Sequence, residues 1–140
     1  MSKRDQKVGE GGHRMDWTYI DIMATALAMV PERRLYAADE KWNAAWEEIL
    51  ESDEAKKLLP EVTFACRDPY PALSEEVEVL RRVLQRASVL SLGNPRYSYF
   101  SVDPKARQEI LEENRQLRQA YPSQLAAMAE VLKRELAAAD

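Results

Sequence analysis

A chain of 140 residues, 46% hydrophobic and 31% charged with four glycines, has room for one folded domain around one core, which excludes collagen-like, low-complexity and wholly disordered readings. A formal charge of −4 is small and of the wrong sign for a protein that coats phosphate over a wide area. One His (His13) and one Cys (Cys66) leave too few groups for a zinc cluster, a Cys–His dyad or an internal disulfide, so no enzyme activity, metal or cofactor is expected.

The longest early run free of charge and Pro, Ile22 to Val30, is nine residues, against the ~20 that cross a bilayer, so no membrane partner is expected. The first residues lack a signal peptide's order of positive charge, apolar run and cleavage site, which gives the expectation of a cytoplasmic protein. Residues 1–15 carry Lys3, Arg4, Lys7 and Arg14 with Gly9, Gly11 and Gly12 and almost nothing apolar, the composition of a flexible basic tail. Residues 16–140 form the single α-rich domain.

Asp16 is placed to cap a first helix, whose Trp17, Ile20, Ala24 and Leu27 share one face and whose Tyr19, Ile22, Met23, Ala26 and Met29 share another. Only Thr18, Asp21 and Thr25 are polar before Pro31 stops it, so the helix is apolar around most of its circumference and belongs in a core or an interface. From Asp39, Trp42, Ala45, Trp46, Ile49 and Leu50 recur at helical spacing. Ser52 or Asp53 then caps a short helix, Glu54 to Leu59, ended by Pro60. The stretch from Asp16 to Thr63 holds eleven acidic and five basic residues. Glu47, Glu48 and Glu51 resemble half of the carboxylate set of all-helical nucleotide pyrophosphatases, but no facing Glu-x-x-Asp completes it, and an acidic solvated face is the reading adopted.

Val62 to Leu73, with Pro69 and Pro71, reads as an irregular connection holding one short strand at Val62 to Ala65, and Cys66 as a small filler. Ser74 caps the next helix. Val77, Leu80, Val83, Leu84 and Ala87 form its buried stripe, with Glu75, Glu78, Arg81, Arg82 and Arg86 outside. At Ser88 the period changes. Val89 to Leu92, a Gly93-Asn94-Pro95 turn and the aromatic, β-branched run Arg96 to Val102 predict an antiparallel hairpin over 89–102.

A helix rich in Leu and Arg that runs into a hairpin resembles the recognition helix and wing of winged helix-turn-helix proteins, over Ser74 to Val102. That resemblance implies groove contacts for Arg81, Arg82 and Arg86 and phosphate contacts for Arg96 and the tip around Asn94. The connection from Glu61 to Leu73 is longer than the turn of a helix-turn-helix, and the helix opens on Glu75, Glu76 and Glu78. The alternative is a structural hairpin that caps a helical core.

Asp103-Pro104 starts a C-terminal helical pair over 104–138. Its first member has a thin seam of Ala106, Ile110, Leu117 and Tyr121. Beyond Pro122-Ser123 the second has a fuller stripe of Leu125, Met128, Ala129, Leu132 and Leu136. These predict either a helical hairpin or one kinked rod, packed on the domain's own core or between chains. The fold expected is mainly α, five or six helices with one small antiparallel hairpin, winged-helix-like. Two functions stand open. One is a small, non-enzymatic, dimeric regulator that binds nucleic acid, with DNA-binding and transcription regulation its expected role. The other is a helical subunit or adaptor of a larger assembly that meets protein partners, or itself, through Trp17, Leu125, Met128, Leu132 and Leu136.

Overall fold

The computed structural model describes residues 17–67, 69–93 and 98–138. The expected basic tail, the cap at Asp16, Asn94 and Arg96 lie outside them. The chain is mainly helical, as expected, with a small antiparallel sheet; among the described residues there are seven helices and five strands.

Helix α1 (Tyr19–Ala28) starts at Thr18, two residues beyond Asp16. Thr18 and Asp21 make a reciprocal box, with the Asp21 amide donating to the Thr18 hydroxyl at 3.1 Å and the Thr18 amide donating to the Asp21 carboxylate at 3.0 Å. Seven consecutive residues, Ile22 to Ala28, are buried, so α1 is the central helix its all-round apolar surface predicts. Thr25 is tolerated there because its hydroxyl donates to the Asp21 carbonyl at 2.7 Å.

Strand β1 (Arg34–Tyr36) follows, then α2 (Asp39–Ile49), which buries Trp42, Ala45, Trp46 and Ile49 as its pattern predicts, and α3 (Asp53–Leu58), capped by Ser52. The expected strand at Val62 to Ala65 is displaced. Strands β2 (Ala65–Arg67) and β3 (Tyr70–Leu73) instead form a two-stranded antiparallel hairpin with an irregular register, packed on α2 through β3. Pro71 fits within it because both strands are edges and neither needs every amide in a ladder.

Helix α4 (Glu75–Arg86) is capped by Ser74 and leads to β4 (Leu90–Leu92) and β5 (Tyr99–Val102), which pair Leu90 with Val102 and Leu92 with Phe100. The predicted hairpin is therefore present, shorter than 89–102. The sheet has a third strand, however. β1 pairs with β5, Leu35 opposite Phe100 and Tyr36 opposite Tyr99, giving the order β1-β5-β4. Strand alternation turns Leu35, Phe100, Leu90 and Val102 inward, where all four are buried, and turns Arg34, Tyr36, Tyr99, Ser101 and Ser91 outward.

Helices α5 (Pro104–Glu113), α6 (Arg115–Ala120) and α7 (Pro122–Leu136) close the chain, three segments where two were expected. The extra break falls at Asn114, whose side chain donates to the Ile110 carbonyl at 2.9 Å. Both α5 and α7 pack on α1, and α7 also packs on α2. Past α7, the Ala138 amide donates to the Arg34 carbonyl at 2.9 Å and Ala137 bridges Leu35, so the chain's end covers the outer edge of β1.

Candidate nucleic-acid interface

Helix α4 is fixed at its start from two sides. The Ser74 hydroxyl accepts from the Val77 amide at 3.3 Å, and the Ser74 amide donates to the buried Asn43 side chain of α2 at 2.9 Å. Asn43 in turn donates to the Asp39 carbonyl at 2.9 Å, so one buried amide sets where α4 leaves α2. Val77, Leu80 and Leu84 are buried, whereas Val83 is 39% exposed and Ala87 is exposed, outside the stripe expected for them.

At its end α4 closes with Ser88 at φ 62°. The Ser88 amide donates to the Gln85 carbonyl at 3.1 Å and the Val89 amide to the Leu84 carbonyl at 2.9 Å, the paired bonds of a Schellman motif. The change of period at Ser88 is this motif, with Val89 folding back into the core beside Leu84.

The arginines predicted to share an outer face are divided. Arg81 is only 9% exposed. Its guanidinium donates to the Ala37 carbonyl at 2.6 Å, pairs with Asp39, reaches Glu78 at 3.4 Å, and lies 5.5 Å from the Trp42 ring and 5.4 Å from the Phe100 ring. Its Nε is buried without a hydrogen-bond partner, and burial pushes its pKa down from the usual arginine value. The groove contact expected of Arg81 is thereby corrected: it sits on the flank of the apolar stripe and joins α4 to α2 and β5. Arg82 and Arg86 point outward and are exposed.

The residues expected at a protein interface are also redistributed. Leu125, Leu132 and Leu136 are fully buried and Met128 nearly so, all four in the domain's own core. Trp17 is half-buried against that core, edge-on to Tyr121 with ring centroids 6.1 Å apart. Of the acidic stripe, Glu47 and Glu51 are exposed and Glu48 pairs with Arg134 of α7. Among the described residues no cluster of three or more His, Cys, Asp or Glu is placed to hold a metal, and no helix is long and apolar enough to cross a membrane.

Two polar features escaped the sequence. Arg107 of α5 donates to the carbonyls of Val30 at 2.8 Å and Glu32 at 2.7 Å, holding the α1–β1 connection. On the outer face of the sheet, the Tyr36 and Tyr99 rings lie 5.4 Å apart, with the Lys41 ammonium 4.7 Å from the Tyr36 centroid and the Arg34 guanidinium 4.2 Å from that of Tyr99. The alternation Arg34-Leu35-Tyr36 was the available signal, too short on its own to define a strand.

Comparison with protein-family models, curated proteins and solved structures finds no match to this chain.

Proposed function

We propose that this protein is a non-enzymatic, nucleic-acid-binding regulatory protein of winged-helix-like build, which presents the basic end of α4 and the β4–β5 hairpin to a duplex. The observation that carries the reading is the assembly around α4. Helix α1, strand β1, helices α2 and α4 and then a hairpin follow in chain order, with β1 adding to β5 so that one sheet backs the helices. A winged helix-turn-helix has that order of parts, and here α3 and the β2–β3 hairpin stand where such a protein has a short turn.

Charge supports one end of α4 over the other. Glu75 lies about 16 Å of helix rise from Arg86, beyond the ~8 Å Debye length at physiological salt, so the acidic first turn is screened from a phosphate at the far end. The contacts assigned are Arg82 and Arg86, with Asn94 and Arg96 of the hairpin connection; Arg81 is structural. The adaptor alternative keeps only Trp17 of its five residues near the surface, since the other four fill the core.

The test is duplex binding at two salt concentrations. Arg82→Ala and Arg86→Ala should each lower affinity by about 1–3 kcal/mol if they read bases, or reduce the salt slope by roughly one if they touch phosphate. No binding of the wild type to any duplex at low salt would overturn the proposal.

A further inference from the structure

Val83 stands outside the stripe that its spacing with Leu80 and Leu84 predicts. Its side chain is 39% exposed, one of three large apolar side chains at the surface among the described residues and the one that belongs to α4. At 3.6 residues per turn, Arg82, Arg86 and Val83 share about 100° of arc on α4, centred away from Val77, Leu80 and Leu84, which fill the core. Ala87, one turn beyond Val83, is exposed as well. Neither Arg82 nor Arg86 makes an ion pair among the described residues. A β-branched residue gains nothing from helix propensity at a solvent-facing position, so the helix itself gives no reason for a valine there.

We propose that Val83 reads the 5-methyl group of a pyrimidine in the major groove of DNA, which in an unmodified duplex is the methyl of thymine. The assignment rests on the duplex reading of α4 and adds which base that face selects. Among the base-edge groups that a duplex shows in its major groove, the 5-methyl is the apolar one; the rest are hydrogen-bond donors and acceptors. An apolar side chain set among arginines fits that mixture. Charge complementarity favours this occupant, since a duplex carries phosphates and methyl groups on one surface and meets both unpaired arginines and the valine together. Discrimination comes from the alternatives. Against Val83, the amino group of cytosine or adenine would lose water without gaining a hydrogen-bond partner, whereas a methyl gains by leaving water. Ala87, small and exposed on the next turn, lets the base edge approach.

The experiment enriches short duplexes with random centres on the wild-type protein at low salt, then prepares the best binder with thymine and with deoxyuridine, which lacks only the methyl. Two further forms carry cytosine or 5-methylcytosine, paired with guanine, in place of the thymines. Anisotropy gives the affinity of each for the wild type, Val83→Ser and Val83→Thr. Deoxyuridine should weaken wild-type binding about fourfold for the methyl that Val83 covers. Val83→Ser should bind the thymine and deoxyuridine forms within about twofold of each other, and Val83→Thr, which keeps a γ-methyl, should restore the preference. A matching preference for 5-methylcytosine over cytosine would show that the methyl alone is recognised, and a preference confined to the thymine form would name thymine as its source; either supports the assignment. Equal wild-type affinity for the thymine and deoxyuridine forms, with binding still weakened by Arg82→Ala, would overturn it and leave the duplex reading intact. A methyl preference that survives in Val83→Ser would also overturn it. No binding to any duplex would overturn both readings, and a scattering mass that halves on Val83→Ser would give this face to a second copy of the chain instead.

Discussion

Arg81 shows how a single side chain changes role with a few degrees of helical arc. It belongs by spacing to the edge of the Val77, Leu80 and Leu84 stripe, and its long stem lets the charge reach the Ala37 carbonyl and Asp39 while the stem stays inside. Removing it leaves the Ala37 carbonyl without that donor and a gap beside Trp42 and Phe100. Arg81→Ala should therefore cost about 2–4 kcal/mol, and Arg81→Met less, since the thioether refills the space against the rings. Arg82→Ala, one position on and exposed, should stay within about 0.5 kcal/mol. Urea unfolding of the three variants checks the order, and equal midpoints for the two alanine variants would mean that Arg81 is no more internal than Arg82. Spacing sets Arg81 nearer the stripe than Arg82, but the groups that hold it inside, Ala37 and Phe100, are remote in the chain and close only once the sheet has formed.

Elements with local causes were legible, and those with remote causes were not. Ser74 and Asp103 were identifiable as caps, and Ser52 as one of two candidates with Asp53, because a cap is a matter of three or four neighbouring residues, and all three accept an amide of the first turn. The end of α4 was legible for the same reason, since the period breaks at Ser88. Strand β1 was not. Three residues are too few to show alternation, and its partner β5 is more than sixty residues away. The Ser88 position carries its own expectation. A Ser at φ 62° bears the steric cost of the left-handed region that glycine escapes, so Ser88→Gly should stabilise the protein by about 0.5–1 kcal/mol. Its exposed side chain has nothing in the core to lose. A raised thermal midpoint with unchanged far-ultraviolet circular dichroism is the expected result, and a lowered one would show that Ser88 holds the helix end by some contact of its own.

At the scale of the molecule, one core joins the helices to the three-stranded sheet, and the last helix is what completes it. Helix α1 lies against α4, α5 and α7, while α7 spans from α1 to α2 and its following residues seal the edge of β1. A strong apolar stripe says that a helix will be buried, but not against what, which is why Leu125, Met128, Leu132 and Leu136 were readable as an interface as well as a core. The two readings separate in one measurement. If Leu132 is a core residue, Leu132→Ala should lower the stability by about 2–5 kcal/mol through lost burial and the cavity left behind, with no change in mass at a concentration where the variant remains folded. If it lay between chains, the same substitution would lower the mass by light scattering before it lowered the unfolding midpoint. Because Leu132 is fully enclosed, with α7 packed against both α1 and α2, the expected outcome is a shifted urea midpoint and a constant scattering mass; a halved mass with an unshifted midpoint would move α7 out of the core and restore the interface.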